Sequence, residues 1–238
     1  MQVSSPGLRV PPAVRLPVRR LVVLGAIALG LGLGLGGLIL LLGNGPLGID
    51  EAWMSAVTTL RADWLVTLAR GSDFLGGGWF AVWVVPVVVA AAFLIARRPW
   101  SALTFVVASA ASAGIAQLLK GLLARPRPAD GLIVDFGDLL ASSQVGSFPS
   151  GHTTNAATIA VLLGLLVGGR WVWAAGIAWV VLMAFARTLL GAHWLSDTVG
   201  AALLGAGAVL LVCAAMRGLL AREALARRTR TSSIGSNA

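Results

Sequence analysis

Long apolar runs constrain this chain more than any other feature of its sequence. The run from Leu21 to Gly43 contains no charged residue, and further apolar runs follow it. A soluble domain has no surface that could accommodate them, because 58% of the residues are apolar and only 11% are charged. A lipid bilayer can, since a helix of about 20 apolar residues crosses its hydrocarbon core. We therefore predict an integral membrane protein.

Six membrane-spanning helices are predicted from the apolar runs between charged residues, so the predicted fold is an all-α, six-helix bundle. The predicted spans are 21–43, 79–96, 101–119, 153–169, 171–190 and 195–216. The first run is too long for the core of a signal peptide, so we predict that it is retained as an anchor.

The charges outside the spans divide the chain into three parts. A basic cytoplasmic segment, 1–20, precedes a membrane domain, 21–216, whose motifs fall within 120–197. A basic cytoplasmic tail, 217–238, follows, and we expect it to be disordered and to face the membrane.

An additional interfacial helix is predicted between the first and second spans. Asp50 is the expected N-cap of this helix. Apolar residues then recur at helical spacing: Trp53, Val57, Leu60, Trp64 and Leu68. Two interpretations stay open, in which the helix borders a lipid entrance or only packs on the bundle.

The distribution of basic residues predicts the orientation. With the N-terminus in the cytoplasm, twelve of the 18 basic residues are inside: Arg9, Arg15, Arg19, Arg20, Arg97, Arg98, Arg170, Arg217, Arg222, Arg227, Arg228 and Arg230. The other six are outside: Arg61, Arg70, Lys120, Arg125, Arg127 and Arg187. The positive-inside rule therefore predicts cytoplasmic termini. The expected location is the plasma (inner) membrane.

The net charge of +9 does not predict a nucleic-acid partner. Most of the arginines flank the ends of spans, whereas a nucleic-acid site needs a continuous basic face on a folded surface. The expected partners are the bilayer and a membrane lipid substrate, and the sequence carries no signal of oligomeric state.

Residues able to carry chemistry form three clusters beside the outer ends of spans. The clusters are Lys120 with residues 125–128, residues 148–152, and Arg187 with His193 and Asp197. Cations, backbone N–H groups at the start of a helix and two imidazoles suit a tetrahedral oxyanion such as phosphate.

The spacing within the third cluster predicts a nucleophile. His193 and Asp197 are four residues apart, so the carboxylate can accept from Nδ1 and leave Nε2 free to attack. His152 is the expected general acid and base. The expected phosphate-binding groups are Lys120, Arg127, Ser150, Gly151 and Arg187.

Simpler interpretations of some of these residues stay open. Ser150 could serve only as the cap of the following helix, and Asp197 could pair with Arg187. Arg187 could also extend to the membrane interface. Arg125 lies outside the pattern and is expected to face headgroups or the surface.

No metal site and no cofactor are predicted. The acids Asp130, Asp135 and Asp138 have no histidine beside them and are expected to be solvated. Cys213 is the only cysteine, so neither a disulfide nor a cysteine metal cluster is expected.

These residues resemble the type-2 phosphatidic acid phosphatase (PAP2) family, which shares its active site with vanadium haloperoxidases. Lysine, six residues and Arg-Pro match Lys120 with residues 127–128, and Pro-Ser-Gly-His matches residues 149–152. In the third motif, Arg187, His193 and Asp197 match, while Ala186 replaces a serine. The resemblance implies a six-helix phosphatase.

The expected function is a metal-independent lipid phosphatase or diphosphatase that acts through a phosphohistidine on the extracytoplasmic face. A polyprenyl diphosphate, such as undecaprenyl diphosphate, and a glycerolipid, such as phosphatidate or phosphatidylglycerophosphate, stay open as substrates. The alternatives are a non-enzymatic phosphate-binding protein or transporter, and a vanadate-dependent haloperoxidase, which six spans disfavour because the related enzymes are soluble.

Overall fold

The described part of the chain is built from helices. The structure, a computed structural model, describes residues 10–77, 80–128 and 146–235, and these ranges contain no β-strand. The helices are α1 (Pro12–Arg15), α2 (Val18–Leu41), α3 (Gly48–Thr58), α4 (Asp63–Gly76), α5 (Val85–Ile95), α6 (Pro99–Leu123), α7 (Gly151–Leu166), α8 (Arg170–Leu189) and α9 (Leu195–Gly235). A π-helical turn, Phe80–Val84, precedes α5. The all-α prediction is confirmed.

The number of helices that can cross a membrane is smaller than expected. Among the described residues, four are long and apolar enough: α2, α6, α8 and α9. A bent pair, Asp63–Gly76 with Phe80–Ile95, raises the number to five if it counts as one span. The apolar helix α7 has 16 residues and is about 24 Å long, short of a hydrocarbon core of about 30 Å. The chain is a multi-pass membrane protein, and the six-span count stays a prediction.

The predicted interfacial segment consists of two helices, α3 and α4, with a break at residues 59–62. The sequence predicted Asp50 as the N-cap of α3, and this prediction is wrong, because the helix begins at Gly48. Instead, the Asp50 carboxylate reaches back one turn and accepts from the backbone N–H of Leu47 at 2.9 Å. This satisfies an N–H group that the helix itself leaves without a partner.

The C-terminal tail was expected to be disordered, but its residues 217–235 continue α9. Residues 236–238 lie outside the described part of the chain. Buried contacts explain the difference. Leu220 is buried in the main apolar cluster of the bundle. Glu223 is also buried, pairs with Arg98 at 3.4 Å and accepts from the hydroxyl of Ser101 at 2.5 Å. These contacts hold the tail against the start of α6.

Helix α9 lies at the centre of the bundle, in contact with α2, α6 and α7. It approaches α2 closely because glycines face each other. A Cβ on Gly207 would lie 2.7 Å from the backbone nitrogen of Leu29 and 3.0 Å from the carbonyl oxygen of Gly25. Small residues at such a contact let the two backbones approach within van der Waals distance.

Candidate active site

Polar residues from three stretches meet at one end of the bundle. Lys120 lies in the last turn of α6, and Gly151 is the first residue of α7. Arg187 lies in the last turn of α8, and Asp197 in the first turn of α9. Since α6 and α8 end where α7 and α9 begin, the predicted site residues share one end of the bundle.

Backbone hydrogen bonds connect the three motifs. The N–H of Ser147 donates to the carbonyl of Arg125 at 2.7 Å, which ties the segment before α7 to the segment after α6. The N–H of Ser150 donates to the carbonyl of Asp197 at 3.2 Å. The second bond joins the start of α7 to the start of α9, so the motifs hold one another in place.

Arg127 reaches the loop that carries His193. Its Nη1 donates to the carbonyl of Ala192 at 3.5 Å. The indole Nε1 of Trp194 donates to the carbonyl of Pro126 at 2.9 Å. The first and third motifs are therefore adjacent, with a cation beside the loop of the predicted nucleophile.

The start of α7 combines a helix N-terminus with a cation. The buried Ser150 Oγ accepts from the N–H of Thr153 at 3.4 Å, which confirms that this serine caps α7. A Cβ on Gly151 would lie 3.6 Å from Nζ of Lys120, so the ammonium group adjoins the first turn. N–H groups and an ammonium in this arrangement suit an anion.

Both histidines lie at this end of the bundle. His193 is 1% exposed, whereas the side chain of His152 is 16% exposed. His152 and Arg187 contact the same carboxylate oxygen of Asp73, and the N–H of His193 donates to the carbonyl of Arg187 at 3.3 Å. The ammonium group of Lys120 adjoins Gly151, the residue before His152. The structure therefore brings together the predicted nucleophile, the predicted general acid and two of the predicted phosphate-binding cations.

The His152 ring occupies the space where a side chain at position 77 would lie, and Gly77 has none. A Cβ at this position would overlap Nε2 of the imidazole. The backbone at Gly77 is extended (φ −138°), a conformation that any residue can adopt. A side chain is therefore excluded by its overlap with the His152 ring and not by the backbone conformation.

Asp197 lies beside His193, as the four-residue spacing predicts. Its Oδ2 is 3.5 Å from Nδ1 of His193 and accepts from the N–H of Trp194 at 2.9 Å. The 3.5 Å separation exceeds the usual length of a hydrogen bond, so the imidazole and the carboxylate would have to move slightly closer to form one.

Arg125 is not the surface residue that the sequence suggests. It is 1% exposed, and its guanidinium contacts Asp197 Oδ1 at 2.5 Å and Asp50 Oδ2 at 2.8 Å. A buried guanidinium needs such counter-charges, because an isolated buried ion is costly. Arg125, rather than Arg187, is the ion-pair partner of Asp197.

Arg187 does not extend to the membrane interface, because it is 1% exposed. Its Nη1 contacts Oδ1 of Asp73. The same carboxylate oxygen lies 3.1 Å from Nε2 of His152. An anionic group from α4 therefore sits between a predicted phosphate-binding residue and the predicted general acid.

Sequence analysis missed the roles of two acids, Asp50 and Asp73. Each shares a helix face with buried residues, Asp50 with Val57 in α3 and Asp73 with Ala69 in α4. An acid at helical spacing from buried apolar residues is the signal that could have identified them. Nothing in the local sequence indicated which partners they would meet.

No candidate metal centre is present in the described ranges. Within residues 10–77, 80–128 and 146–235, no group of three or more His, Cys, Asp or Glu side chains is arranged to hold a metal ion. What the described site presents is an arrangement of cations, helix N–H groups and imidazoles, which suits a phosphate.

Comparison with known families agrees with this geometry. The family model described as "PAP2 superfamily" matches residues 101–220, a segment that contains every predicted site residue. The chain belongs to the PAP2 superfamily. It is a PAP2-type phosphatase, a hydrolase of phosphoric esters.

A protein sequence and a crystal structure from Bacillus subtilis are similar to this PAP2 member. Phosphatidylglycerophosphatase B of strain 168 is 27% identical over 165 residues, 66% of this chain and 77% of that protein. The crystal structure of the first transmembrane PAP2 type phosphatidylglycerolphosphate phosphatase from B. subtilis matches with a TM-score of 0.65 and 25% identity, over 79% of this chain and 93% of that one. The fold is therefore that of a solved PAP2 phosphatase.

The crystal structure of Aquifex aeolicus LpxE is similar in fold alone. It matches with a TM-score of 0.55 and 23% identity, over 72% of this chain and 95% of that one.

The one departure from the PAP2 pattern has a structural explanation. Ala186, at the position of the serine, is fully buried in an apolar cluster with Val57, Ala69, Leu189 and Leu190. A serine hydroxyl here would need a hydrogen-bond partner, since an unpaired buried hydroxyl is costly. The alanine therefore suits the apolar contact of α8 with α3 and α4.

Proposed function

We propose that this PAP2 phosphatase hydrolyses a lipid phosphomonoester or diphosphate at the extracytoplasmic face of the plasma membrane, through a phosphohistidine intermediate. The convergence of Lys120, Arg187, His152 and His193 at one end of an apolar helix bundle carries the proposal. A substrate with a phosphate and an apolar tail matches both parts of this molecule.

The nucleophile in this proposal is Nε2 of His193. It attacks phosphorus while the bond from phosphorus to the leaving oxygen breaks and His152 donates a proton to that oxygen. His152 then takes a proton from water as the water oxygen bonds to phosphorus and the phosphorus–nitrogen bond breaks. Asp197 beside Nδ1 stabilises the charge that the ring acquires on phosphorylation.

The proposed phosphate-binding groups neutralise the non-bridging oxygens. Lys120 adjoins the N-terminus of α7, and Arg187 lies near His152. Arg127 adjoins the loop before His193. Phosphoryl transfer depends mainly on holding charge in position, so these cations and the N–H groups after Ser150 supply most of the stabilisation.

Among lipids, we place phosphatidylglycerophosphate first. The support is the similarity to phosphatidylglycerophosphatase B of B. subtilis and to the crystal structure of a B. subtilis PAP2 type phosphatidylglycerolphosphate phosphatase. Phosphatidate and undecaprenyl diphosphate are the comparison substrates, because each offers a terminal phosphate on an apolar anchor.

Phosphate release from purified protein in detergent with EDTA tests the proposal. The substrates are phosphatidylglycerophosphate, phosphatidate, undecaprenyl diphosphate and a water-soluble phosphate ester. We expect one of the lipids to be hydrolysed fastest, and His193→Ala to lower that rate by at least about 10³-fold, as removal of a covalent nucleophile does.

Arg70→Gln is the matched control for this experiment, because Arg70 is exposed on α4. It should leave the rate unchanged. A preference for the water-soluble ester would contradict a lipid substrate, loss of turnover in EDTA would contradict metal independence, and retained turnover in His193→Ala would exclude His193 as the nucleophile.

A further inference from the structure

A buried ionic cluster lies behind the candidate active site. It consists of Arg125, Asp50, Asp197 and Ser196 and joins α3, the segment after α6 and the start of α9. The side chains of Arg125, Asp50 and Asp197 are 0% exposed. Arg125 donates to both carboxylates and, through Nη1, to the hydroxyl of Ser196 at 2.8 Å.

Asp50 fixes the backbone just before Asp197. Its Oδ1 accepts from the N–H of Ser196 at 2.8 Å, and its Oδ2 accepts from the hydroxyl of Ser196 at 2.7 Å. One side chain from α3 therefore holds both the first turn of α9 and the guanidinium that contacts Asp197.

The charges in this cluster do not cancel. With both carboxylates ionised and Arg125 protonated, the cluster carries a net charge of minus one. Paired with Arg125 alone, Asp197 would present no net charge to His193. Asp50 offsets the guanidinium, so Asp197 Oδ2, 3.5 Å from Nδ1, faces the ring as part of a net anion.

We propose that Asp50 is a positioning residue that acts through Arg125 on Asp197, and thereby keeps a net negative charge beside His193. The inference rests on the proposed function, in which His193 becomes positively charged on phosphorylation. A negative charge in a poorly solvated site stabilises that state more than it would in water.

The test uses kcat and KM of Asp50→Asn, Arg125→Gln and the double variant, measured with the best lipid substrate. Asp50→Asn makes the cluster neutral, and we expect kcat to fall by about 10- to 100-fold, by analogy with the loss of side chains that orient metal-binding histidines in other enzymes. KM should change little, since Asp50 does not touch the substrate. Asp50→Glu, which keeps the charge, should retain more of kcat than Asp50→Asn.

The double variant separates charge balance from a purely structural role. It removes one negative and one positive charge, so the cluster regains a net charge of minus one. We therefore expect its kcat to exceed that of Asp50→Asn. A structural role predicts instead that two disruptions cost at least as much as one.

Two controls accompany these variants, with melting temperatures measured for all of them. Glu51→Gln removes the neighbouring, exposed acid of α3 and should change nothing. Glu223→Gln disrupts a buried ion pair at the opposite end of the bundle. It should lower the melting temperature and leave kcat of the folded protein unchanged.

Wild-type kcat in folded Asp50→Asn would overturn the inference, as would a folded double variant no more active than Asp50→Asn. If Asp50→Asn does not fold, the double variant and Asp50→Glu decide: lipid hydrolysis by a folded double variant supports charge balance, and its absence, with Asp50→Glu active, overturns it. Hydrolysis by wild type and its loss in His193→Ala test the proposed function separately.

Discussion

Asp73 is the residue whose chemistry most directly opposes substrate binding. Its carboxylate contacts Arg187 and lies 3.1 Å from Nε2 of His152, two groups that we assign to the phosphate and its leaving oxygen. A phosphate and this carboxylate are both anions and would compete for the same donors. Substrate binding therefore requires the Asp73 side chain to move away from Arg187 and His152.

Asp73→Asn should strengthen the binding of inorganic phosphate as a product inhibitor. The amide keeps the shape of the side chain and removes its charge, so we expect the inhibition constant to fall by about 10-fold, equivalent to about 1.4 kcal/mol. Inhibition of lipid hydrolysis by phosphate measures this. Asp63→Asn, an exposed acid on the same helix, is the control, and a higher inhibition constant in Asp73→Asn would contradict the prediction.

Short spacings explain which site residues were predictable. His193 and Asp197 are four residues apart, so the geometry of one turn brings them together. Arg125 meets Asp197 and Asp50 across 72 and 75 residues of chain. No local pattern encodes such pairs, and for this reason the buried cluster was missing from the prediction.

At the scale of helices, the close contact between α2 and α9 depends on residues without side chains. Both atoms nearest to a Cβ on Gly207 belong to the α2 backbone, at Leu29 and Gly25. A flexible side chain could move aside, but a helix backbone cannot without separating the helices.

Gly207→Ala should therefore destabilise the protein. The added methyl group overlaps the α2 backbone, and we expect a cost of about 1–3 kcal/mol, typical of an overpacked core. Thermal unfolding in detergent measures it. Gly34→Ala is the matched control, because a Cβ there has nothing within 4 Å. Equal melting temperatures for Gly207→Ala and wild type would contradict the close contact.

Helix lengths show what apolar patterning does and does not determine. The apolar pattern located the long helices because a membrane span is a continuous apolar run in the sequence. It failed for the tail after Arg217, where the composition is polar and basic. Its residues 218–235 are helical because Leu220 and Glu223 contact other helices, and such contacts are not visible in composition.

At the scale of the whole molecule, the two ends of the bundle differ in chemistry. One end carries the candidate active site. The other carries Arg98 with Glu223, and Arg217, which donates to the carbonyls of Val14 and Leu16. The basic residues expected inside that the structure describes belong to segments at this second end. The positive-inside rule predicts that this end is cytoplasmic.

Single cysteines test this orientation. In a Cys213→Ala background, Thr59→Cys lies between α3 and α4 and Ala96→Cys lies between α5 and α6, both at exposed positions. In intact cells, a membrane-impermeant maleimide should label Thr59→Cys and should reach Ala96→Cys only after permeabilisation. The reverse pattern would place the candidate active site in the cytoplasm.

The position of Glu223 sets a limit on how far this protein could be shortened. Its carboxylate accepts from the N–H groups of Trp100 and Ser101, the first free donors of α6, at 2.8 and 3.1 Å. A chain ending at Gly218 would leave these donors, and the Arg98 guanidinium, without their anion. The turn of α9 that carries Glu223 therefore caps the start of α6, and its removal should weaken the attachment of that helix to the bundle.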